Sequence, residues 1–196
     1  MTEYPHIVGI GGTTRPGSST EMLVRAILAE CGAKGAETTM FAGAELLALP
    51  HYNPGDPTRT DGQRALVDAA RRADGFVIGT PGYHGSVSAL VKNAIDLLED
   101  TRTDDARVYM DGCPVGLVVS AAGWQATGVT LSALRDIIHA LRGWPTPIGI
   151  GVNTIVQRPF DDEGRIADES IAGAVRMQAG QIMDHVSGTR MRKQAV

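Results

Sequence analysis

A hydroxyl-rich segment, residues 11–20, follows the apolar run His6–Gly12 and leads into Ser19–Cys31, a segment with helical periodicity. A loop between a strand and a helix presents backbone N–H groups and the positive end of the helix dipole, which together bind anions. Arg15 adds a planar cation suited to phosphate. The hydroxyl donors are Thr13, Ser18, Ser19 and Thr20. The combination predicts a phosphate site, because a plain helix cap needs one hydroxyl and no arginine.

The glycine spacing of this loop argues against two common phosphate ligands. Gly12-x-x-x-x-Gly17 matches the glycines of a P-loop, but Ser18 stands where the lysine that binds a nucleoside triphosphate is required. The dinucleotide pattern G-x-G-x-x-G also fails, because Thr14 occupies the position of its third glycine. We therefore expect the loop to bind a terminal monophosphate.

Short apolar runs alternate with segments of helical period along the whole chain. The predicted strands are His6–Gly12, Glu37–Phe41, Gly75–Thr80, Pro114–Ser120 and Thr146–Ile150. The predicted helices are Ser19–Cys31, Gln63–Arg72, Ser86–Leu98, Thr127–Leu141 and Asp168–Val186. Residues 42–61 are rich in proline, glycine and aspartate, which predicts an irregular loop. We expect one domain, residues 1–187, and a flexible tail over residues 188–196.

This alternation predicts a parallel α/β sheet with helices on both faces. Right-handed crossovers restrict the arrangement to a doubly wound fold, either Rossmann-like or flavodoxin-like. In such sheets the ligand lies at the carboxyl ends of the strands, near the point where the strand order reverses. The loops that follow the first, third and fourth predicted strands are therefore expected to form the site.

Two segments resemble one known family. Residues 12–20 are similar to the loop G-S-x-R-x-x-S-x-[NT] of the NADPH-dependent FMN reductase family, and residues 80–96 resemble its more specific motif T-P-E-Y-N-G-S-x-x-x-x-L-K-N-x-x-D. Leu49–Asn53 resembles a short loop of the same family, and the layout agrees over residues 5–186. The resemblance implies a flavodoxin-like, five-stranded sheet in the order 2-1-3-4-5. It also implies FMN as cofactor and NADPH or NADH as hydride donor.

The resemblance further implies which loops contact the cofactor. The first loop holds the FMN phosphate, the loop at 80–86 lines the ribityl chain and the ring, and the loop at 120–124 lies against the isoalloxazine. The candidate cofactor-binding residues are Thr13, Arg15, Ser18, Ser19, Thr20, Pro81, Gly82, Tyr83, His84, Gly85, Ser86, Ser120, Ala121, Gly123 and Trp124. No side chain is assigned as a catalytic acid, base or nucleophile, because a flavin carries the redox chemistry itself.

The second motif departs from the family at two positions, where Gly82 replaces the usual glutamate and His84 replaces the usual asparagine. Both changes are expected to alter contacts near the cofactor or at a subunit interface. Tyr83 either lies against the flavin or covers the end of the following helix, and Trp124 either lies at the ring or shields an interface. Lys92, Asn93 and Asp96 share one predicted helix, where we expect them to anchor the loop by hydrogen bonds.

Other chemistry lacks support in the residue pattern. No strand is followed by the G-x-S-x-G of a serine hydrolase, and the five histidines are scattered without the spacing of metal ligands. Cys31 and Cys113 are far apart and are expected to be reduced, buried thiols. The acidic segment Asp161–Gly164 is expected to form a turn rather than a calcium loop.

Composition limits the partners that the chain is expected to have. The 196 residues carry a formal net charge of −4, which gives no electrostatic reason to expect nucleic acid or an anionic membrane as partner. No stretch approaches the ~18–20 apolar residues of a membrane span, and the amino terminus has no basic leader. A cytoplasmic location is the expectation.

The expected function is a ping-pong reductase. Bound FMN would accept a hydride from NAD(P)H and pass reducing equivalents to a second small molecule, such as free flavin. Three alternatives remain open, namely an NAD(P)H quinone or azo reductase, a flavodoxin-like electron carrier and a binding module without flavin. The family resemblance also implies a homodimer or homotetramer.

Overall fold

Residues 4–194 are the ones that the structure, a computed structural model of this chain, describes. They contain five strands: β1 (His6–Gly11), β2 (Glu37–Phe41), β3 (Gly75–Pro81), β4 (Pro114–Ala121) and β5 (Trp144–Asn153). The helices in the same range are α1 (Ser19–Ala33), α2 (Gly43–Leu47), α3 (Asp61–Arg72), α4 (Ala89–Asp96), α5 (Trp124–Ala140) and α6 (Glu169–Gln194). A 3-10 turn, Leu97–Thr101, follows α4 directly.

The strands form one parallel sheet in the order β2-β1-β3-β4-β5, which confirms the predicted flavodoxin-like order. Every residue of β1, β3 and β4 is buried, whereas β2 at the sheet edge is only half-buried. Central strands covered on both faces are apolar throughout, and that is the pattern from which they are recognisable in the sequence.

Alternate residues of the strands face two separate apolar layers. Ile7, Val77 and Val118 face the layer that α1 and α6 cover. Val8 and Phe76 face the opposite layer, which α2, α3, α4 and α5 cover. The two layers hold the sheet rigidly, so the loops at the carboxyl ends of β1, β3 and β4 start from fixed positions.

The irregular loop predicted over residues 42–61 contains a short helix, α2. Its hydrophobic residue Leu46 is buried in the core, and the backbone N–H of Ala42 donates to the Glu45 carboxylate (3.2 Å). The segment Gly43–Leu47 has no proline, so the turn-forming composition that predicted the loop belongs to the residues after it. The prediction was therefore wrong for these five residues.

The last helix is longer than the predicted Asp168–Val186. It begins at Glu169 and continues to Gln194, so the tail predicted to be flexible from residue 188 is helical as far as Gln194. The Arg190 guanidinium lies 3.1 Å from the Asp74 carboxylate and 3.1 Å from the Tyr4 carbonyl oxygen. These contacts hold the end of α6 against the rest of the fold. The remainder of the predicted tail, residues 195 and 196, lies outside the described residues.

Among residues 4–194, no helix combines the length and the apolar composition that a membrane crossing requires.

Candidate functional site

The loop between β1 and α1 uses part of its polar chemistry to hold its own shape. Ser18 is the N-cap of α1, and its hydroxyl accepts a hydrogen bond from the Glu21 N–H (3.3 Å). The Thr13 hydroxyl accepts from the Arg15 N–H (3.1 Å). These bonds fix the loop, so its remaining donors are preorganised.

Several donors of this loop remain free of internal partners. Helix geometry leaves the first-turn N–H groups of Ser19 and Thr20 without intrahelical acceptors. Within residues 4–194 the Arg15 guanidinium makes no hydrogen bond or ion pair. A guanidinium beside a helix amino terminus can bind an anion, so the loop has the free donors that the predicted phosphate site requires.

The loop after β3 turns tightly at Tyr83–Ser86. The Ser86 N–H donates to the Tyr83 carbonyl oxygen (3.1 Å), and the two central residues, His84 and Gly85, have φ values of 53° and 75°. Positive φ at both central positions is the signature of a type I′ turn, for which Asn-Gly is the preferred sequence. Histidine tolerates this conformation better than most residues do. The family asparagine at position 84 and its replacement by histidine therefore have one physical explanation.

The base of this loop is tied to the neighbouring elements. The Thr80 hydroxyl accepts from the Ser88 N–H (2.9 Å) and donates to the Pro81 carbonyl oxygen (3.0 Å). The Gly82 N–H donates to the Ser120 carbonyl oxygen (2.9 Å), which extends the pairing of β3 with β4. The loop is consequently held at both ends.

Gly82 lies directly against α5. A Cβ atom at this position would be 2.9 Å from the Ala121 Cβ, 3.0 Å from the Thr130 hydroxyl oxygen and 3.3 Å from the Ala126 carbonyl oxygen. A glutamate, the usual family residue, would not fit without moving α5 or the loop. The departure at Gly82 therefore lets the loop lie closer to α5 than a side chain would permit.

The loop after β4 is held by Asn153, the last residue of β5, and by Thr154, which follows it. The Asn153 side-chain oxygen accepts from the N–H groups of Gly123 and Ile155, each at 3.1 Å. The Thr154 N–H donates to the Ala121 carbonyl oxygen (2.9 Å). These hydrogen bonds bring the end of β5 to the site, where the sequence had predicted no contribution from β5.

A cleft of about 420 Å³ lies where the three loops meet, within the usual size range of small-molecule sites. Of the predicted site residues, the lining includes Thr13, Arg15, Ser18, Ser19, Thr20, Pro81, Gly82, Tyr83, His84, Ser120 and Ala121. The other predicted residues, Gly85, Ser86, Gly123 and Trp124, do not line it. Gly85 and Ser86 complete the turn, while Gly123 and Trp124 begin α5.

Sequence reasoning missed three lining residues, Ala122, Ala126 and Thr154. Ala122 and Ala126 lie between or beside predicted positions on the same loop and helix. Thr154 directly follows β5, and the rule that ligands bind at the carboxyl ends of parallel strands was a signal that pointed to it.

Ser120, like Ser18 and Thr20, is a buried polar residue of the lining, and it differs from Ser18 in that its hydroxyl caps no helix. In the described part of the chain its hydroxyl oxygen has no hydrogen-bond partner. Buried polar groups are normally satisfied, so this hydroxyl is suited to a ligand.

Two predicted features lie away from the cleft. The Asn93 side chain accepts from the Tyr52 N–H (2.8 Å) and donates to the Pro50 carbonyl oxygen (3.1 Å), so it anchors the loop at 50–52 and not the one at 80–86. Both cysteines are buried and form no disulfide, and burial raises the pKa of the Cys31 thiol to about 12.

The sequence profile of the family described as NADPH-dependent FMN reductase matches residues 5–154. Among curated relatives, an FMN-dependent NADPH-azoreductase of Staphylococcus saprophyticus is 34% identical over 127 residues, which span 64% of this chain and 63% of that protein. An FMN-dependent NADPH-azoreductase of Staphylococcus aureus is 30% identical over 146 residues, or 72% and 73% of the two chains.

Solved structures share the fold at lower identity. A flavoenzyme NAD(P)H:(acceptor) oxidoreductase from Paracoccus denitrificans gives a TM-score of 0.73 at 17% identity, covering 94% of this chain and 98% of that one. An oxidoreductase from Corynebacterium diphtheriae gives 0.70 at 20% identity, covering 95% and 99%. These two matches establish the fold alone, whereas the family profile spans three quarters of the sequence. The chain belongs to the NADPH-dependent FMN reductase family.

Proposed function

We propose that this protein is a flavoenzyme that uses FMN to transfer reducing equivalents from NADPH or NADH to a small-molecule acceptor. One observation carries the proposal. The cleft joins a preorganised anion loop at one end to small residues and a buried, unpartnered hydroxyl at the other. That arrangement fits a ligand with a terminal phosphate and a planar ring, and the family membership agrees with it.

The phosphate end is matched by the donors of the first loop. The N–H groups of Ser19 and Thr20 and the Arg15 guanidinium supply donors without internal partners, and the Thr13 and Ser18 hydroxyls flank them. A monophosphate dianion suits this set, because charged hydrogen bonds and a helix dipole act on it together.

The ring end is matched by shape and by one hydroxyl. Ala121, Ala122 and Ala126 leave room for a planar group to approach the backbone, and Pro81 lines the same part of the cleft. The Ser120 hydroxyl would donate to a polar atom of the ring edge.

When bound, FMN accepts a hydride from the nicotinamide and passes reducing equivalents onward, so no side-chain nucleophile or base is needed. The chain binds and orients the cofactor through its loops. The Ser120 hydroxyl, which is buried and already in place before the reaction, would stabilise negative charge that develops on a reduced ring.

The acceptor, the second substrate, is proposed to be a small molecule. Free flavin is our first candidate, as in the family name, and an azo compound or a quinone is the second. The azo compound is favoured because the Staphylococcus relatives are named as azoreductases. A flavodoxin-like electron carrier is the alternative outside the reductases.

We also propose a homodimer or homotetramer. Four exposed apolar side chains surround the site region, and a second copy of the chain would cover them: Tyr83 (58% exposed), Trp124 (58%), Ile155 (73%) and Val156 (66%). Sedimentation or size-exclusion analysis tests this, and a monomer at micromolar concentration would contradict it. A cytoplasmic location remains a prediction from the sequence.

The decisive experiment for the function is a visible spectrum of the purified protein during titration with NADPH and NADH. We expect a flavin spectrum that bleaches on addition of the donor and recovers with free FMN, an azo dye or a quinone. Protein that stays colourless after incubation with FMN would refute the flavoenzyme. Bound flavin that neither donor bleaches would instead support the electron carrier.

A further inference from the structure

A second groove, of about 500 Å³, adjoins the cleft and shares Arg15, Ser19 and Thr154 with it. The rest of its lining is Met22, Gln157, Arg158, Pro159, Phe160 and Asp161. We call it the arginine groove, because two arginines face one ligand-sized space. Because the two spaces share residues, one long ligand can occupy both.

The arginine groove carries uncompensated positive charge. Arg158 is exposed, and within residues 4–194 its guanidinium has no hydrogen bond or ion pair, so its charge stays available when Arg15 holds the FMN phosphate. The single lining carboxylate, Asp161, is already occupied. It pairs with the Arg165 side chain (2.9 Å) and accepts from the N–H groups of Arg165 (2.8 Å) and Glu163 (3.1 Å). Those backbone bonds, together with the Arg165 side chain, hold the Asp161 pKa below its usual value.

The segment that presents Arg158 is fixed on both sides. Before it, the Gln157 side-chain oxygen accepts from the Asn153 N–H (2.9 Å), and the Gln157 N–H donates to the Asn153 carbonyl oxygen (2.9 Å). After it, the Pro159 carbonyl oxygen accepts from the Ala167 N–H (2.9 Å), and Phe160 packs against the core layer under α1 and α6. Arg158 therefore projects from a held backbone and not from a loose loop.

We propose that the arginine groove binds the phosphorylated adenosine end of NADPH, with Arg158 at the 2′-phosphate. This inference rests on the proposed function, because it places the donor's nicotinamide at the flavin cleft. The 2′-phosphate is the group that NADPH has and NADH lacks, and a planar guanidinium binds a phosphate monoester through two parallel hydrogen bonds. Met22 and Phe160, both partly exposed, supply apolar surface for the adenine.

The test measures nucleotide binding without turnover. NADP⁺, NAD⁺ and adenosine 2′,5′-bisphosphate are titrated calorimetrically into the FMN-loaded protein and its Arg158→Ala variant. We expect wild type to prefer NADP⁺, and the variant to lose about tenfold or more in affinity for NADP⁺ and for the bisphosphate, while NAD⁺ binding is unchanged. Arg158→Lys should retain part of the preference. Arg102→Ala, at an exposed arginine that lines neither space, should match wild type.

Three results would overturn the proposal. They are equal wild-type affinity for NADP⁺ and NAD⁺, an equal loss for both in Arg158→Ala, and unchanged affinity for NADP⁺ and the bisphosphate in Arg158→Ala. The last would show that Arg158 does not hold the 2′-phosphate. Failure of the flavoenzyme itself is recognised separately, because flavin content is read from the visible spectrum before any nucleotide is added.

Discussion

At the scale of single residues, the hydroxyl groups near the site divide into two kinds. Those of Ser18 and Ser88 accept hydrogen bonds from the first turns of α1 and α4, so they stabilise the fold itself. The Ser120 hydroxyl is buried without a partner in the described residues. An unsatisfied buried hydroxyl costs stability, so we propose that the Ser120 hydroxyl serves a ligand rather than the fold.

Removing these hydroxyls should therefore have opposite consequences. Ser120→Ala is expected to leave the stability of the flavin-free protein unchanged or slightly raised, while the Kd for FMN rises several-fold. Ser88→Ala is expected to cost about 1 kcal/mol of stability through loss of the helix cap, with little direct effect on FMN affinity. Urea unfolding of the flavin-free proteins and fluorescence titration with FMN measure both quantities. A Ser120→Ala variant that is clearly destabilised would argue for a structural role instead.

At the scale of loops and helices, close backbone contacts decide where the phosphate loop lies. Gly43, the first residue of α2, sits so near the loop that an added Cβ would overlap the Thr13 carbonyl oxygen. Gly82 makes the corresponding contact between the second loop and α5. The positions of both loops thus depend on glycines. Gly43 belongs to the helix that contacts the first loop, and Gly82 belongs to the second loop and contacts α5.

Gly43→Ala should displace the phosphate loop. We expect a loss of about 1–3 kcal/mol in unfolding free energy, typical of overpacked sites, together with weaker FMN binding. Gly180→Ala is the matched control, since Gly180 lies within α6 with no atom near its added Cβ, and it should stabilise by about 0.5–1 kcal/mol. Thermal unfolding with and without FMN checks both. Unchanged stability and FMN binding in Gly43→Ala would show that the loop relaxes without cost.

The turn at His84–Gly85 gives a second prediction at this scale. His84→Asn should keep both stability and flavin binding, because asparagine suits a positive φ before glycine. His84→Val should cost about 1–2 kcal/mol, because a β-branched residue fits that conformation poorly. Chemical unfolding of the two variants measures their stability, and titration with FMN measures flavin binding. Equal destabilisation by both substitutions would indicate that the imidazole itself makes a needed contact.

At the scale of the whole molecule, the buried His6 in β1 makes the stability of the fold depend on pH. Its ring lies 2.8 Å from the Thr39 hydroxyl, and β1 places it among buried residues. Burial is the main reason that its pKa lies below the usual 6.5, and Arg72 adds to the effect, while Glu37 and Asp74 oppose it.

The unfolded chain therefore takes up a proton near pH 6.5 that the folded protein resists. This contribution to stability is complete above that pH and is lost as the pH falls through it toward the lower folded pKa. We expect the unfolding free energy to decrease as the pH is lowered from about 7.5 to about 5.5. The His6→Gln variant should show a smaller decrease over the same range. The lowered pKa values of Asp56 and Asp161 start from 3.8, so they act below this window. If the unfolding free energy of His6→Gln depends on pH as steeply as that of wild type, His6 is not the group responsible.

Much of the site could be predicted because its parts are local. The anion loop follows from one strand, one helix start and the residues between them, and Arg15 and Ser18 are readable there directly. Gly85 and Trp124 were predicted as contacts from motif position alone. In the structure Gly85 lies in the turn and Trp124 is the first residue of α5, and neither residue lines the cleft.

The sequence by itself determined the five strands and the parallel sheet, and it predicts the phosphate loop. Apolar runs, helical periods and glycine spacing express interactions between residues near one another along the chain. Only the tertiary structure decided that Thr154 lines the cleft, that Gly82 touches α5 and that Arg158 lines the same groove as Arg15. Those contacts join residues far apart in sequence. They depend on which strand ends lie side by side and on how closely the loops approach, and no local pattern encodes either distance.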